Sequence, residues 1–113
     1  MSDVNNLNYI EIAQVAEIPE NSRIFLEVSG IPVVVVNLGG TIHAFGDVCT
    51  HDNGPLGDGE LDGFEIKCPR HGARFDIRTG NAIRGPAFHD IPVFPIKIEN
   101  GSILLGITKQ PPE

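Results

Sequence analysis

Two cysteines and two histidines stand in matched pairs near the middle of this chain. The first pair is Cys49-x-His51, in the run CTHDNGPLG, and the second is Cys68-x-x-His71, in the run CPRHG. The chain of 113 residues contains no other cysteine. Thiolates and imidazoles are nucleophiles, and they are also ligands that proteins offer to zinc and to iron. The spacing therefore predicts either thiol catalysis or a metal site.

Three chemistries are compatible with this set of side chains. A structural zinc site would hold two Cys and two His in a tetrahedron, although small zinc modules usually repeat knuckles with two cysteines. A Cys–His nucleophile pair would leave the second pair without a role. An iron–sulfur cluster with mixed ligation would bind two thiolates to one iron and two imidazoles to the other. The mixed cluster explains the symmetry, because each loop would contribute one ligand to each iron.

The composition is that of a single soluble domain that does not bind nucleic acid. Hydrophobic residues make up 41% and charged residues 20%, and the net charge of −7 would repel phosphates. A protein partner with a basic docking face is favoured instead, because complementary fields speed encounter. The longest apolar run, IPVVVV, is too short to cross a bilayer.

The compartment follows from the N-terminal segment, MSDVNNLNY, which lacks the basic and apolar regions of a secretory signal. A cytoplasmic location is therefore expected. In a reducing compartment the two cysteines favour a metal or redox role over a disulfide.

The charges near the two pairs are unevenly placed. Residues 47–65 contain six acids and neither lysine nor arginine, whereas residues 67–84 contain five basic residues and one acid. The basic residues are Lys67, Arg70, Arg74, Arg78 and Arg84. The asymmetry is consistent with two solvated loops, and equally with a docking surface for a partner.

Short strands are predicted to carry the two pairs. Runs rich in Val, Ile and Phe, each bounded by turn-forming residues, lie at 8–15, 23–29, 31–38, 41–45, 63–68, 73–77, 94–99 and 102–107. Two-residue hairpin turns are predicted at Gly39-Gly40 and Asn100-Gly101. One helical turn is expected within residues 13–20. The sequence predicts an all-β domain of small packed or barrel-like sheets, with residues 46–86 inserted between two strands of the β core.

The pairs and their surroundings resemble the signature of Rieske-type 2Fe–2S proteins. The resemblance rests on TIHAFGDVCTH, on G-x-L-D-G-x-x-I-x-CPRHG-x-x-FD-x-x-TG, and on the later GPA and IPVFPIKIENG. It extends from about residue 15 to residue 107. The chain is similar to the small Rieske ferredoxins that supply electrons to non-haem iron oxygenases, such as ring-hydroxylating dioxygenase systems.

The resemblance implies a particular fold and a set of ligands. It implies a single Rieske 2Fe–2S domain over residues 1–113, with a β-sandwich or barrel-like base and a cluster-binding subdomain at about 46–86. One 2Fe–2S cluster would be bound by Cys49 and Cys68 on one iron and by His51 and His71 on the other. A loop containing Pro86 would cover it.

Two histidines, His43 and His89, fall outside the paired Cys/His motif. His43 is expected at the surface or rim of a strand, and His89 is expected at the surface just beyond the covering loop.

The resemblance also implies a function. The protein would be a soluble one-electron carrier and not an enzyme, reduced by a flavin-dependent ferredoxin reductase and oxidised by a terminal oxygenase. Two alternatives remain open. One is a Rieske subunit of another multi-component redox enzyme, and the other is a zinc-bound structural or interaction module.

The reduction potential is expected at the low end of the Rieske range of about −150 to +300 mV. High-potential relatives have an additional cysteine in each loop and place Ser and Tyr hydroxyls near the sulfurs. Here Gly54 and Arg70 stand where those cysteines would be, and Ala73 and Phe75 stand where the hydroxyls would be.

Overall fold

Short β-strands make up almost all of the secondary structure in the computed structural model, which describes residues 7–48, 56–69, 72–84 and 90–108. In chain order they are β1 (Leu7–Gln14), β2 (Arg23–Val28), β3 (Ile31–Leu38), β4 (Thr41–Gly46), β5 (Glu60–Asp62), β6 (Glu65–Lys67), β7 (Arg74–Asp76), β8 (Ala82–Arg84), β9 (Val93–Phe94), β10 (Ile96–Glu99) and β11 (Ser102–Thr108). One turn of 3₁₀ helix, Val15–Glu17, follows β1. Within these ranges, no helix is long and apolar enough to cross a membrane. The all-β prediction is confirmed.

The strands form three antiparallel sheets. We refer to them as the base sheet (order β1-β11-β10), the central sheet (β2-β3-β4-β9) and the site sheet (β5-β6-β7-β8). One apolar core joins the base and central sheets, and a second core joins the central and site sheets. The central sheet is therefore covered on both faces.

This layered arrangement explains the uninterrupted apolar run in β3. Val33 and Val35 belong to the core shared with the base sheet, whereas Val34 and Val36 belong to the core shared with the site sheet. All four are fully buried. Successive side chains of a strand point to opposite faces, so a strand that is buried on both faces needs apolar residues at every position.

Both predicted hairpin turns are present. Gly39 and Gly40 have φ of 60° and 95°, and Asn100 and Gly101 have φ of 52° and 82°. Positive φ at both central residues is the geometry that matches the twist of the flanking strands. Ser29 and Gly30 form a third turn with φ of 53° and 80°, between β2 and β3.

The prediction of one strand across residues 94–99 is wrong. The structure divides this run at Pro95, so that β9 belongs to the central sheet and β10 to the base sheet. Proline has no N–H to donate to a ladder. Its carbonyl instead accepts a hydrogen bond of 2.9 Å from the N–H of Gly106. The chain thereby crosses between sheets.

The site sheet also contains two strands that the sequence analysis does not predict, β5 and β8, each of three residues. All four of its strands lie between residues 60 and 84, within the predicted subdomain. The boundaries of the domain and subdomain remain predictions.

A buried asparagine in β3 provides a test of how hydrogen bonds beside the core of the base and central sheets stabilise the fold. Asn37 is 6% exposed, donates through Nδ2 to the carbonyl of Ile18 at 2.8 Å, and accepts at Oδ1 from the N–H of Gly40 at 2.8 Å. Asn37→Ala leaves both backbone groups without these partners, which should lower the free energy of unfolding by about 2 kcal/mol. Urea denaturation measures this. Asn81→Ala, at an exposed position, should change the value by less than about 0.5 kcal/mol, and equal losses would contradict the assigned role.

Candidate metal centre

Of the four predicted ligands, the structure describes Cys68. Cys49, His51 and His71 lie outside the described residues, and so do Gly54, Arg70, Pro86 and His89. Cys68 is 1% exposed and belongs to the apolar core between the central and site sheets. Its thiol group is thus part of a water-poor environment, which suits a cluster ligand.

The second predicted ligand loop, residues 68–72, lies between β6 and β7, which pair antiparallel. Cys68 follows β6 directly, and its N–H donates to the carbonyl of Ala73 at 2.7 Å. The N–H of Gly72 donates back to the carbonyl of Cys68 at 3.1 Å. The first bond continues the β6–β7 ladder by one pair, and the second joins Cys68 to a residue four positions later, so the two bonds fix the backbone of Cys68.

The first predicted ligand loop, residues 47–56, follows β4, and hydrogen bonds join the chain to the central sheet and to Pro92 where the loop begins. The N–H of Gly46 donates to the carbonyl of Pro92 at 2.9 Å, and the N–H of Asp47 donates to that of Pro32 at 3.0 Å. Leu56 is the first residue that the structure describes after this loop begins, and its side chain is fully buried in the same core as Cys68. The described residues at or next to the ends of both predicted ligand loops therefore belong to one core: Phe45, Leu56, Cys68 and Ala73.

The backbone near these loops is packed too closely for side chains at two glycines. A Cβ on Gly57 would overlap Val34 and Phe25 of the central sheet, and a Cβ on Gly59 would overlap the carbonyl oxygen of Lys67. A tight backbone cradle beside a buried thiol is compatible with a cluster whose sulfurs are approached by backbone groups. The described residues thus fit an iron–sulfur group with Cys68 as one ligand.

The charges on the site sheet are partly neutralised in pairs. Arg74 contacts Asp62 at 3.3 Å and Glu65 at 3.1 Å, and Arg78 contacts Asp76 at 2.8 Å. Hydrogen bonds from these arginines raise their own pKa values and lower the pKa of Asp76. Two of the five clustered basic residues are therefore engaged with acids of their own sheet. For these two, the structure favours the solvated-loop interpretation over a docking role.

His43 lies at the end of the site sheet opposite the ligand loops. It is on β4, paired with Val36, and its ring meets Phe64 edge-on with a centroid separation of 5.9 Å. Phe64 precedes β6 and Cys68 follows it, so about 13 Å of strand separates the two. His43 is partly exposed, as expected of a rim residue, but its Nε2 is buried and has no hydrogen-bond partner among the described residues.

The environment of His43 predicts a pH dependence of stability. Burial holds the pKa of His43 below its ordinary value, the neighbouring Arg78 acts in the same direction, and Asp76 opposes them. The unfolded chain binds this proton at about pH 6.5, more readily than the folded protein does. The contribution of neutral His43 is therefore complete above pH 6.5 and is lost as the pH falls below it.

His43→Gln removes this proton, so the loss of stability between pH 7.5 and pH 5.5 should be smaller in the variant than in the unmodified protein. Urea midpoints at the two pH values measure the difference, and titrations common to both proteins cancel. Identical pH profiles would contradict the assignment.

Comparison with known proteins identifies the family. The Rieske 2Fe-2S domain matches residues 8–95. The chain belongs to this family. The ferredoxin component of the naphthalene 1,2-dioxygenase/salicylate 5-hydroxylase systems of Ralstonia sp is 39% identical over 98 residues, which are 87% of this chain and 94% of that protein.

Solved Rieske structures share the fold. The ferredoxin of Sphingomonas yanoikuyae B1 superimposes with a TM-score of 0.79 at 33% identity, over 92% of this chain and 100% of that one. A chain from the complex of reduced oxygenase and oxidized ferredoxin in carbazole 1,9a-dioxygenase gives a TM-score of 0.79 at 25% identity, over 90% of this chain and 94% of that one.

Family membership decides among the three chemistries predicted from the paired Cys and His residues. The protein carries a Rieske-type 2Fe–2S cluster, as predicted, and the zinc and nucleophile alternatives are not retained. The relatives that match over nearly their whole length are ferredoxins, so the prediction of an electron carrier is confirmed.

Proposed function

We propose that this Rieske ferredoxin carries single electrons from a flavin-dependent reductase to the terminal oxygenase of a ring-hydroxylating system. The observation that supports this most directly is the match to ferredoxin components of dioxygenase systems across 94% to 100% of their length. A structural neighbour, at 25% identity, comes from a complex of an oxygenase with its ferredoxin. A cytoplasmic location remains a prediction.

In the proposed site, Cys49 and Cys68 bind one iron, and His51 and His71 bind the other. The cluster, when bound, takes up and releases one electron. Two thiolates leave an oxidised 2Fe–2S cluster without net charge, whereas four would make it negative, so the imidazoles raise the potential. Burial of Cys68 in the core supports this assignment, since it keeps water from the thiolate side.

Reconstitution tests the function. A flavin-dependent reductase and the terminal oxygenase of a ring-hydroxylating system are purified and supplied with NADH or NADPH, oxygen and an aromatic substrate, with and without the ferredoxin. Hydroxylated product should form at a rate that rises with ferredoxin concentration. A rate that is the same without the ferredoxin would overturn the proposed role.

Electron transfer to the oxygenase should depend on salt. The net charge of −7 favours a partner with a basic face, and screening shortens the range of the field to about 8 Å at physiological ionic strength. Stopped-flow rates should therefore fall as salt is added. Flat rates would contradict electrostatic steering.

Charge reversal locates the docking face. Asp52→Lys, in the first ligand loop and outside the described residues, should slow association more than it changes the potential. Glu11→Lys is the control, because Glu11 lies on β1 in the base sheet, which the central sheet separates from the site sheet. An equal effect of both substitutions would place the docking face elsewhere.

A further inference from the structure

A short segment, residues 56–59, contacts the central sheet, the backbone at Lys67 and the core that contains Cys68. It follows the first ligand loop, its leading side chain Leu56 shares a core with Cys68, and its last residue, Gly59, lies against the backbone of Lys67. It also packs on the central sheet through Gly57. The segment therefore links the described end of the first predicted ligand loop to Lys67, the residue before Cys68.

A carboxylate holds the segment to the start of the first ligand loop. Asp47 Oδ1 accepts hydrogen bonds from the N–H of Leu56 at 2.8 Å and from the N–H of Gly57 at 2.6 Å. Asp47 itself is anchored to the central sheet through its N–H and the carbonyl of Pro32. The two described ends of the first loop are thus joined by one side chain, across ten residues of sequence.

A guanidinium holds the same segment to the central sheet. Arg23, the first residue of β2, donates through Nη1 to the carbonyl of Gly57 at 2.5 Å and to the carbonyl of Gly59 at 2.8 Å. Hydrogen bonds with a charged partner are shorter and stronger than neutral ones. Gly57 consequently has its N–H bonded to an anion and its carbonyl bonded to a cation.

We propose that Asp47 and Arg23 are positioning residues for the iron–sulfur site, and that they act together through segment 56–59. Neither residue is assigned as a ligand. Their hydrogen bonds fix the segment from opposite sides, and Gly57 and Gly59 permit the close approach to Val34 and Lys67 that the arrangement needs. The result is one clamp that sets the separation of the two ligand loops.

The close packing has a direct consequence for the second loop. Because a Cβ at Gly59 would overlap the Lys67 carbonyl oxygen, any displacement of the segment toward β6 has to move Lys67. Lys67 is followed at once by Cys68. Loosening the clamp at Asp47 or Arg23 should therefore alter the geometry at a thiolate ligand, and not only the stability of the fold.

The test uses the holoprotein and two readouts. The g-values of the reduced cluster report ligand geometry, and the rate at which a chelator removes iron reports how firmly the loops are held. Asp47→Ala and Arg23→Ala should each shift the g-values and speed iron loss about tenfold, since each removes two hydrogen bonds to the segment. Asp47→Asn and Arg23→Lys, which keep an acceptor or a donor, should recover most of the loss.

A double variant distinguishes one clamp from two independent supports. If both residues act through segment 56–59, Asp47→Ala with Arg23→Ala should lose iron little faster than either single variant. If the two residues act independently, their effects on iron loss should multiply, and the double variant should lose iron about a hundredfold faster than the unmodified protein. Rates that multiply, or single variants with unchanged g-values and unchanged iron loss, would overturn the proposal.

Asn37→Ala is the matched control. Asn37 also bonds two backbone groups, but on the side of the molecule that faces the base sheet. It should lower the free energy of unfolding and leave the g-values unchanged, and a shift like that of Asp47→Ala would count against the clamp. If Asp47→Ala does not fold, the g-values and iron-loss rates of Arg23→Ala, compared with those of Arg23→Lys, decide whether the clamp acts on the cluster. The proposal does not depend on which protein accepts the electron, so its failure leaves the oxygenase role intact.

Discussion

Replacing His71 with alanine should leave the purified protein without a stable 2Fe–2S cluster, and His51→Ala should have the same effect. In the proposed ligand set each substitution removes half of the protein ligands of one iron. Loss of an outer partner of a ligand already costs about 10- to 100-fold in metal affinity, and loss of the ligand itself should cost more. Iron and acid-labile sulfide analysis, with the visible spectrum, measures the outcome.

His43→Ala is the control for this experiment, because it removes a histidine that is not among the predicted ligands. His43 lies on β4 of the central sheet and contacts Phe64, at the end of the site sheet opposite Cys68. Its removal should cost some stability and leave the iron and sulfide contents at the level of the unmodified protein. A cluster lost in His43→Ala, or kept in His71→Ala, would mean that the ligands are assigned wrongly.

The larger part of the fold follows from patterns that are local in sequence. The four valines of β3 are apolar at every position, which requires cover on both faces, and the turns at Gly39-Gly40 and Asn100-Gly101 consist of residues that accept positive φ. These features need no knowledge of distant contacts. The order of strands in the sheets does need such knowledge, and the periodicity of the sequence does not contain it.

The strands that sequence reasoning misses are short and depend on their neighbours. β5 reads Glu-Leu-Asp, with a single apolar residue, and is a strand because Leu61 pairs with Ile66 across the hairpin. β8 reads Ala-Ile-Arg and exists through its pairing with β7. Three residues are too few to show the two-residue alternation of apolar and polar side chains that is typical of a strand. Pairing with the neighbouring strands therefore determines β5 and β8, and the local sequence preference does not.

The sequence identifies the predicted ligands more readily than the residues proposed to position them. Cys and His at fixed spacing within residues 49–71 predict a thiol or metal site, and the resemblance of the surrounding sequence selects the 2Fe–2S cluster. Arg23 and Asp47 bind backbone groups, which every residue possesses, and Arg23 does so across 34 and 36 positions. An Asp side chain commonly bonds backbone groups close by in a turn, but Asp47 bonds groups nine and ten residues ahead. Nothing in the sequence distinguishes Arg23 from a surface arginine.

Introducing hydroxyl groups, as Ala73→Ser with Phe75→Tyr, should raise the reduction potential. Ala73 and Phe75 are fully buried in the same core as Cys68 and alternate inward along the β7 hairpin. A donor to a sulfur stabilises the reduced form most, because that form carries the extra negative charge. A hydrogen bond to a charged group contributes about 1.5 kcal/mol or more, which is about 60 mV for one electron.

Two such donors should therefore raise the potential by about 100 mV, as long as both hydroxyls reach a sulfur. Protein-film or spectroelectrochemical titration measures the shift. Ile77→Thr is the matched control, because it adds a hydroxyl to the same core four residues farther along the chain, beside the N–H that donates to Phe64. That hydroxyl lies about 13 Å of strand beyond Ala73, so the potential should not change. An unchanged potential in a double variant with full iron content, or an equal rise in Ile77→Thr, would mean that missing donors at positions 73 and 75 do not account for a low value.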